Sequence, residues 1–538
     1  MGSTDAQRRN VKIIKETKLY SEAVTLAGYG KYNIFVLLAT GGCLMCVIIE
    51  SMNMSFIIPA AQCDLKLSLA QKGILVSVNY LGIIVTSHFW GFMADIRGRK
   101  NILVFCLIAS SLFTLFSSIA PWAWLFIILR FFNGALIGGA SSIIYPFAGE
   151  FHDNWHRPKV TTWVSSFVAV GQIYIPGLAW AILPSDWSFY IEGLGISFKP
   201  WRLLLIAYGL PSLIVAAMLS LLPESPKFLL TQGKHDATLK ILTTMFVINT
   251  GKKYHEYPVS TIIMDEIEVQ KSEAKPTILQ LLRSQTAMLF NKEYALKTIL
   301  ICYLQFGVFL SASALALWFP QILNTLSNYA QTVKNSEVTL CRGIRSEPRT
   351  LTDLRTDYLS FDLWQANRNY TTQEDSCIDS VDPGVFLVML LTAVAIGITY
   401  ILIGIFINKI GKKVLLIGFV VITGICGLIA QYISGYELIL IFCGIYLLIS
   451  ALIGVVNALA VDLYPTSVRA LAMAVSLMIG RMGAMIGSNI VGVIFYNYCE
   501  YVFIFVAINH VILIIAAILL PTKKVQDIEL PAINNEAD

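Results

Sequence analysis

Charge is what this sequence has little of. Only 14% of its 538 residues are Asp, Glu, Lys or Arg, where a soluble protein carries about 25%. With 56% hydrophobic residues and a mean hydropathy of +0.69, the composition is that of a membrane protein, and length cannot be used to count soluble domains. Other absences narrow the function. No glycine-rich loop ending in Lys and Ser or Thr is present, so ATP drive has no support. No metal-binding cluster and no nucleophile triad appears, so no enzyme, metal or cofactor is expected. No cleavable leader is evident: the first 31 residues are polar and basic, and the apolar run behind them is long enough to span. The net charge of +5 is small, and no nucleic-acid partner is expected.

Long apolar runs are what is there. A hydrocarbon core of about 30 Å needs roughly 20 apolar helical residues. Twelve runs qualify: 33–59, 72–94, 101–119, 122–148, 160–183, 201–222, 297–322, 383–406, 414–434, 438–463, 469–496 and 501–520. Lys and Arg concentrate before span 1, in the turns after the even-numbered spans, and in 223–295. This bias predicts that both termini are cytoplasmic. It also places segment 324–382 outside, where acids outnumber its five arginines. Most cysteines lie in or near apolar spans, Cys499 among them, and read as small buried hydrophobes. Cys63, Cys341 and Cys377 lie on the outer side. Cys341 with Cys377 is the expected disulfide, with Cys63 as the alternative partner. Asn369 begins a glycosylation sequon on the same side.

The stretch GFMADIRGRK at 91–100 places four charges between two apolar runs, and GIFINKIGKK follows 313 residues later with the same layout. Glu150 to Arg157 (EFHDNWHR) and Asp462 to Arg469 (DLYPTSVR) both set an acid seven residues before an arginine, 312 residues apart. ALIG recurs at 135–138 and 451–454. Three landmarks in one order at nearly one offset indicate a duplicated six-span unit. The expected fold is an all-α membrane protein with twelve transmembrane helices in two pseudo-symmetric six-helix bundles. The expected divisions are a cytoplasmic segment 1–32, bundles 33–222 and 297–520, a linker 223–296 and a tail 521–538. In the linker, 237–246 and 277–289 have helical apolar spacing and read as helices at the membrane interface, with a partly ordered linker as the alternative for 247–275.

GFMADIRGRK resembles the signature turn of the major facilitator superfamily between helices 2 and 3. RFFNG at 130–134 is similar to its helix 4 motif, with Asn133 in place of glutamine, and PESPKFLL at 223–230 to the block after helix 6 in sugar and organic-ion transporters. AGYGKY (27–32), IIPAAQCDL (57–65), AWAILPSDWSF (179–189) and PWRLLLI (200–206) resemble the synaptic vesicle glycoprotein 2 family more narrowly. Two departures stand out. About 59 residues occupy the place of that family's large outer domain, and Val47-Ile48 stands where its helix 1 has an acid-glycine pair.

Asp95 ends helix 2, where an acid is unfavourable, so it needs a positive partner; the N-terminus of helix 11 is the natural one. Arg99 would reach Glu150, and Arg157 would reach Glu224. Lys412, Asp462 and Arg469 would do equivalent work in the second half, where Asn408 replaces the acid. The resemblance implies a cytoplasmic latch that favours the outward- or lumen-open state. If the charges merely enforced topology, Asp95, Glu150 and Asp462 would not be needed.

Ionisable residues inside spans are costly and point to function. Glu50 reads as a proton or cation site, or as a carboxylate bonded to another helix. Arg130 reads as an anion or proton-coupling group, or as an interhelical lock. Arg481 is a candidate partner for Glu50. Asn53, Gln172, Trp180, Gln305, Trp318 and Asn457 near mid-span suit a small organic ligand; Trp180 and Trp318 equally fit an interfacial belt. The expected function is secondary transport of a small polar or charged organic solute by alternating access, with proton coupling through Glu50, in a monomer in the plasma or a vesicle membrane. The alternative is a vesicle-membrane protein that keeps the fold and acts by binding partners.

Overall fold

The computed structural model describes residues 16–193, 195–264, 289, 291, 294–332, 338–345, 382–464 and 466–521. Twelve helical stretches in it are long and apolar enough to cross a membrane, and they coincide with the twelve apolar runs apart from their ends. Internal hydrogen bonding explains the form: hydrocarbon offers no partner for a peptide group, so each crossing segment closes its own bonds as a helix.

The chain opens with β1 (Glu16–Leu19) and α1 (Tyr20–Ala27). Span 1 is α2 (Lys31–Met52) continued by α3 (Met54–Ala61). Spans 2–6 are α4 (Leu69–Arg97), α5 (Arg99–Ser118), α6 (Ala123–Gly149), α7 (Arg157–Ile182) and α8 (Pro200–Leu221). A hairpin of β2 (Phe189–Ile191) and β3 (Ile196–Phe198) joins α7 to α8. After α8 come α9 (Pro226–Thr231), α10 (His235–Thr250) and β4 (Val259–Ile263). The second half holds α11 (Ala295–Ala316), α12 (Phe319–Thr332), a short α13 (Leu340–Arg345), α14 (Pro383–Ile410) and α15 (Lys412–Tyr432). Its remaining helices are α16 (Tyr436–Leu447), α17 (Leu452–Leu463), α18 (Thr466–Asn497) and α19 (Cys499–Leu519).

By internal contacts one compact unit comprises Met1–Leu279, Ala316–Lys334 and Gly343–Gly397, and the other Gln280–Leu315, Asn335–Arg342 and Ile398–Asp538. In the first, α4 and α6 pack most extensively, α5 against α6 and α8, and α2 against α7. Small residues permit the approach: a Cβ on Gly134 would collide with the Asn79 backbone and side chain. In the second, Gly483 and Gly487 of α18 lie against the Phe306 and Leu310 carbonyls of α11.

The linker and the N-terminal segment fold together. Helix α10 is present, and Thr238, Leu242, Met245 and Phe246 on its apolar face are buried, with α1, α2 and α9 packed against the helix. β1 pairs in parallel with β4, so residues from 16 onward fold onto the linker. Tyr257 Oη donates to the Ala23 carbonyl at 2.7 Å, and Asn249 Nδ2 donates to the Gly28 carbonyl at 2.9 Å. The proposed helix 277–289 falls almost wholly outside the described residues.

The disulfide departs from the sequence reading. Cys341 is bonded to Cys499 at the start of α19. Cys341 therefore does not pair with Cys377, which lies outside the described residues, as does Asn369. Cys63 is disulfide-bonded too. Cys499 looked like a buried hydrophobe because it adjoins an apolar run, but connectivity cannot be read from spacing. Nearby, Gly435 N donates to the Val338 carbonyl at 2.9 Å, tying the stretch before α13 to the turn between α15 and α16.

Candidate functional site

The charged turn at 95–100 is built by Gly98, whose φ of +99° closes α4 and opens α5. Gly411 repeats the turn in the second half with φ +93°. Only glycine takes such angles without strain. The amides at the start of α5 need acceptors. Glu224 Oε1 supplies one, accepting from Arg99 N at 2.8 Å and Lys100 N at 2.9 Å. Glu224 therefore caps α5 and is not Arg157's partner; Arg157 Nε donates instead to the Gly149 carbonyl at 3.0 Å.

Arg99 forms an ion pair with Glu150, whose side chain is 7% exposed. Glu150 caps the C-terminus of α6, where the helix dipole disfavours an acid, and Arg99 supplies the compensating charge. The other Glu150 oxygen accepts from Ser225 Oγ at 2.5 Å, and the Glu150 carbonyl accepts from Tyr20 Oη at 2.6 Å. Asp95 is 3.5 Å from Arg99 with a largely exposed side chain. In the second half, Lys412 Nζ lies 2.5 Å from Asp462 in a more exposed pair. The side chains of Arg469 and Asn408 lie outside the described ones.

Beside the first turn, His152 is 2% exposed and its Nδ1 is 2.7 Å from the Ala148 carbonyl. Burial holds its pKa down at about 4, so it is neutral near pH 7.

A second cluster lies inside the first half. Glu50 of α2 and Arg130 of α6 are fully buried, 3.4 Å apart. Thr114 of α5 sits between them: its hydroxyl donates to Glu50 Oε1 at 2.8 Å and accepts from Arg130 Nη2 at 2.7 Å and Asn133 Nδ2 at 2.8 Å. Asn53 Nδ2 donates to Glu50 Oε2 at 3.2 Å. Asn79 of α4 donates to the Glu50 backbone carbonyl. Arg130 Nε and the side-chain oxygens of Asn53, Asn79 and Asn133 are buried with no hydrogen-bond partner. Buried polar atoms are rarely left so. The arrangement can neutralise a buried charge pair and still offer one donor and three acceptors to water or a polar solute.

All the partners described for the Glu50 carboxylate thus come from the first half, Arg130 among them; Arg481 is half-buried in α18. Gln305 Nε2 is 3.5 Å from Asn457 Oδ1 in the second half, and Gln305 Oε1 is buried and unpartnered. Gln172 Oε1 is likewise buried and unpartnered in α7. Trp318 is 3% exposed, whereas Trp180 is 42% exposed on α7.

Sequence reasoning missed Thr114 and Arg202, and with them Asn79, Ser225 and Tyr20. Thr114 belongs to a stripe of hydroxyls in α5 with Ser110, Ser111, Ser117 and Ser118, an available signal in an apolar span. Arg202, in PWRLLLI, is 1% exposed. Its guanidinium donates to the Ser118, Ala120 and Ser197 carbonyls at 2.8–3.0 Å and pairs with Asp64 at 2.8 Å. It satisfies carbonyls at the end of α5 and ties down the β2–β3 hairpin.

Twelve spanning helices, two glycine turns in matching places and a buried charge pair define a multi-pass membrane protein of the transporter class. The sequence profile of the Major Facilitator Superfamily matches residues 40–338 and 380–534, and the chain belongs to that superfamily. Among curated proteins, human synaptic vesicle glycoprotein 2A is 29% identical over 353 residues, covering 62% of this chain and 47% of that protein. Mouse synaptic vesicle glycoprotein 2B is 30% identical over 322 residues, covering 56% and 47%. The chain therefore spans about half the length of the curated relatives it matches. Among solved structures, the E. coli xylose transporter in an inward-open conformation aligns with a TM-score of 0.61 at 14% identity, covering 92% of this chain and 97% of that one. A D-xylose-proton symporter aligns with a TM-score of 0.58, also at 14% identity, covering 91% and 97%. At that identity the likeness concerns the fold.

Proposed function

We propose that this protein is a secondary active transporter of a small polar or charged organic solute, working by alternating access between its two six-helix halves. The observation that carries the reading is the Glu50–Arg130–Thr114 cluster, fully buried yet holding unpartnered polar atoms at mid-span. A charge pair at that depth is expensive and is retained where it serves a pathway. Glu50 is the candidate proton carrier, a reading in keeping with the proton named in the symporter of the same fold. Asn53, Arg130, Gln172, Gln305 and Asn457 are the candidate solute contacts, with Trp180, Trp318 and Arg481 in supporting places. Asp95, Arg99, Glu150 and Glu224, with Lys412, Asp462 and Arg469, form the candidate latch, which must open when access changes side. Arg157 braces the end of α6 beside it. The Lys- and Arg-rich turns support a cytoplasmic position for both termini, and the chain would act as a monomer in the plasma or a vesicle membrane.

A second reading, a vesicle-membrane protein acting through bound partners, is favoured by the likeness to synaptic vesicle glycoproteins 2A and 2B. Uptake into proteoliposomes decides between them, using a panel of sugars, organic cations and organic anions. Saturable uptake that Glu50→Gln abolishes or uncouples from the pH gradient supports transport. Folded protein that takes up no solute on the panel turns the conclusion to the second reading.

A further inference from the structure

Span 1 was expected as one helix, but it is divided. α2 closes at Met52 and α3 opens at Met54, with Asn53 between them and its carbonyl shared by the Phe56 and Ile57 amides at 3.3 Å each. Around this point side chains have taken over bonds that the helix would make for itself. In a continuous helix the Glu50 carbonyl accepts from the amide four residues on, that of Met54. Here Asn79 Nδ2, reaching across from α4, donates to that carbonyl. Ser55 Oγ donates to the Met52 carbonyl at 2.8 Å, and Ser51 Oγ to the Val47 carbonyl at 2.7 Å. Such back-bonding loosens and bends helices. Pro59 has no N–H, so the Ser55 carbonyl has no donor four residues ahead. Asn79 is 1% exposed, and its side-chain oxygen has no partner. The missing side chain of Gly134 makes the room it occupies.

The segment beyond the division is placed where bending matters. α3 packs against α12, and Phe56 stacks on Phe386 of α14 with ring centroids 5.9 Å apart. The residue whose carbonyl Asn79 holds is also the residue whose carboxylate binds Arg130 and Thr114.

We infer that Asn79 is a positioning residue: it wedges span 1 open at Asn53 and makes residues 50–55 a hinge about which the α3 segment moves as a gate. Glu50 belongs to both the hinge and the buried charge cluster, so a change in what its carboxylate binds is felt in the backbone one turn away. The purpose of the hinge rests on the alternating-access reading; its existence rests on the bonds just described.

The test is hydrogen–deuterium exchange by mass spectrometry on the full chain in lipid nanodiscs, comparing wild type with Asn79→Leu and Ser55→Ala. A residue that merely packs α4 against α2 would, once replaced, loosen the region and speed exchange. A wedge predicts the opposite sign: the freed carbonyl takes its helical amide and span 1 closes up. Amides in peptides covering 50–58 are expected to exchange about fivefold more slowly in Asn79→Leu, the ratio that one net hydrogen bond implies, with other spans unchanged. Unchanged or faster exchange there overturns the hinge. If Asn79→Leu yields no folded protein, Ser55→Ala decides by the same sign. Uptake is not read in this experiment, so a chain that transports nothing can still show the hinge, and a transporting chain can lack it.

Discussion

Replacing Glu50 and Arg130 singly and together gives an ordered set of stabilities. Both side chains are fully buried, and their closest approach is 3.4 Å. Glu50→Leu leaves the guanidinium with the Thr114 hydroxyl among its described partners and no countercharge among the described residues. Stranding a buried charge costs about 3–5 kcal/mol. At 2–4 °C per kcal/mol for a domain of this size, the midpoint of thermal unfolding falls by roughly 6–20 °C. Arg130→Leu strands the carboxyl instead. A carboxyl can bind a proton and become neutral, while a guanidinium cannot, so this variant loses less. Glu50→Leu with Arg130→Leu removes both charges, and buried pairs replaced by apolar groups are often no less stable than before. The double variant is therefore expected to be more stable than Glu50→Leu alone. Thermal unfolding of the four proteins in one detergent or nanodisc measures the set. If the losses of the single variants simply add in the double, the two residues do not act as a pair and the reasoning fails.

Other outcomes follow from the same geometry. Non-reducing peptide mapping should recover a Cys341–Cys499 linked peptide; by closing 158 residues of sequence separation the bond stabilises by up to about 5 kcal/mol. A Cys341–Cys377 peptide in its place would contradict the structure. His152, with a pKa near 4 against an ordinary 6.5, binds fewer protons folded than unfolded between those values. Its contribution is present above pH 6.5 and lost as the pH falls toward 4, on the order of 3 kcal/mol in all. His152→Gln should flatten the stability profile over that window, and an unchanged profile would rule the histidine out as its source. Glu150→Gln should destabilise more than Asp462→Asn, because the Glu150 side chain is 7% exposed and that of Asp462 is 51% exposed. The exposed pair is worth less than about 1 kcal/mol, and equal losses in thermal unfolding would refute the distinction.

The spans were legible because the bilayer imposes one requirement, about 20 apolar residues, that a linear pattern can meet or fail. Glu50 and Arg130 were legible for the same reason, as charges inside apolar runs. Their pairing was not, because adjacency of helices is a property of packing that charge alone does not give. The break at Asn53 was hidden because its cause sits 26 residues away in another helix, and nothing in the local run requires it. Glu224 was assigned to Arg157 by matching opposite charges. The amides of Arg99 and Lys100 outcompeted that pairing because a helix N-terminus presents fixed donors that need no side-chain ordering. The β1–β4 pair joins strands of four and five residues, too short for any periodicity to register and more than two hundred residues apart.

The duplication separates what a backbone requires from what side chains are free to become. Both halves keep a glycine at the charged turn, Gly98 and Gly411, because no other residue takes a φ near +95° without strain. The charges around those glycines have diverged. In the first half the turn is bound into a buried set in which Arg99 meets Glu150, Ser225 meets Glu150 and Glu224 caps α5. In the second, Lys412 meets Asp462 near the surface, and Lys413 Nζ donates to the carbonyls of Ile518 and Leu520 at 2.7 and 2.9 Å. The interiors differ in the same sense. Among the described residues the first half buries the Glu50–Arg130 charge pair, while in the second Asn509 donates to the Gly307 carbonyl and Ser311 hydroxyl and Tyr446 donates to the Ser311 carbonyl. Electrostatic energy depends steeply on burial, so among the described ion pairs those of the first half, Glu50–Arg130 and Arg99–Glu150, carry more energy than Lys412–Asp462 in the second. On the proposed alternating-access reading, neutralising Glu150 should move the balance between conformations far more than neutralising Asp462, as accessibility labelling from the two sides would measure.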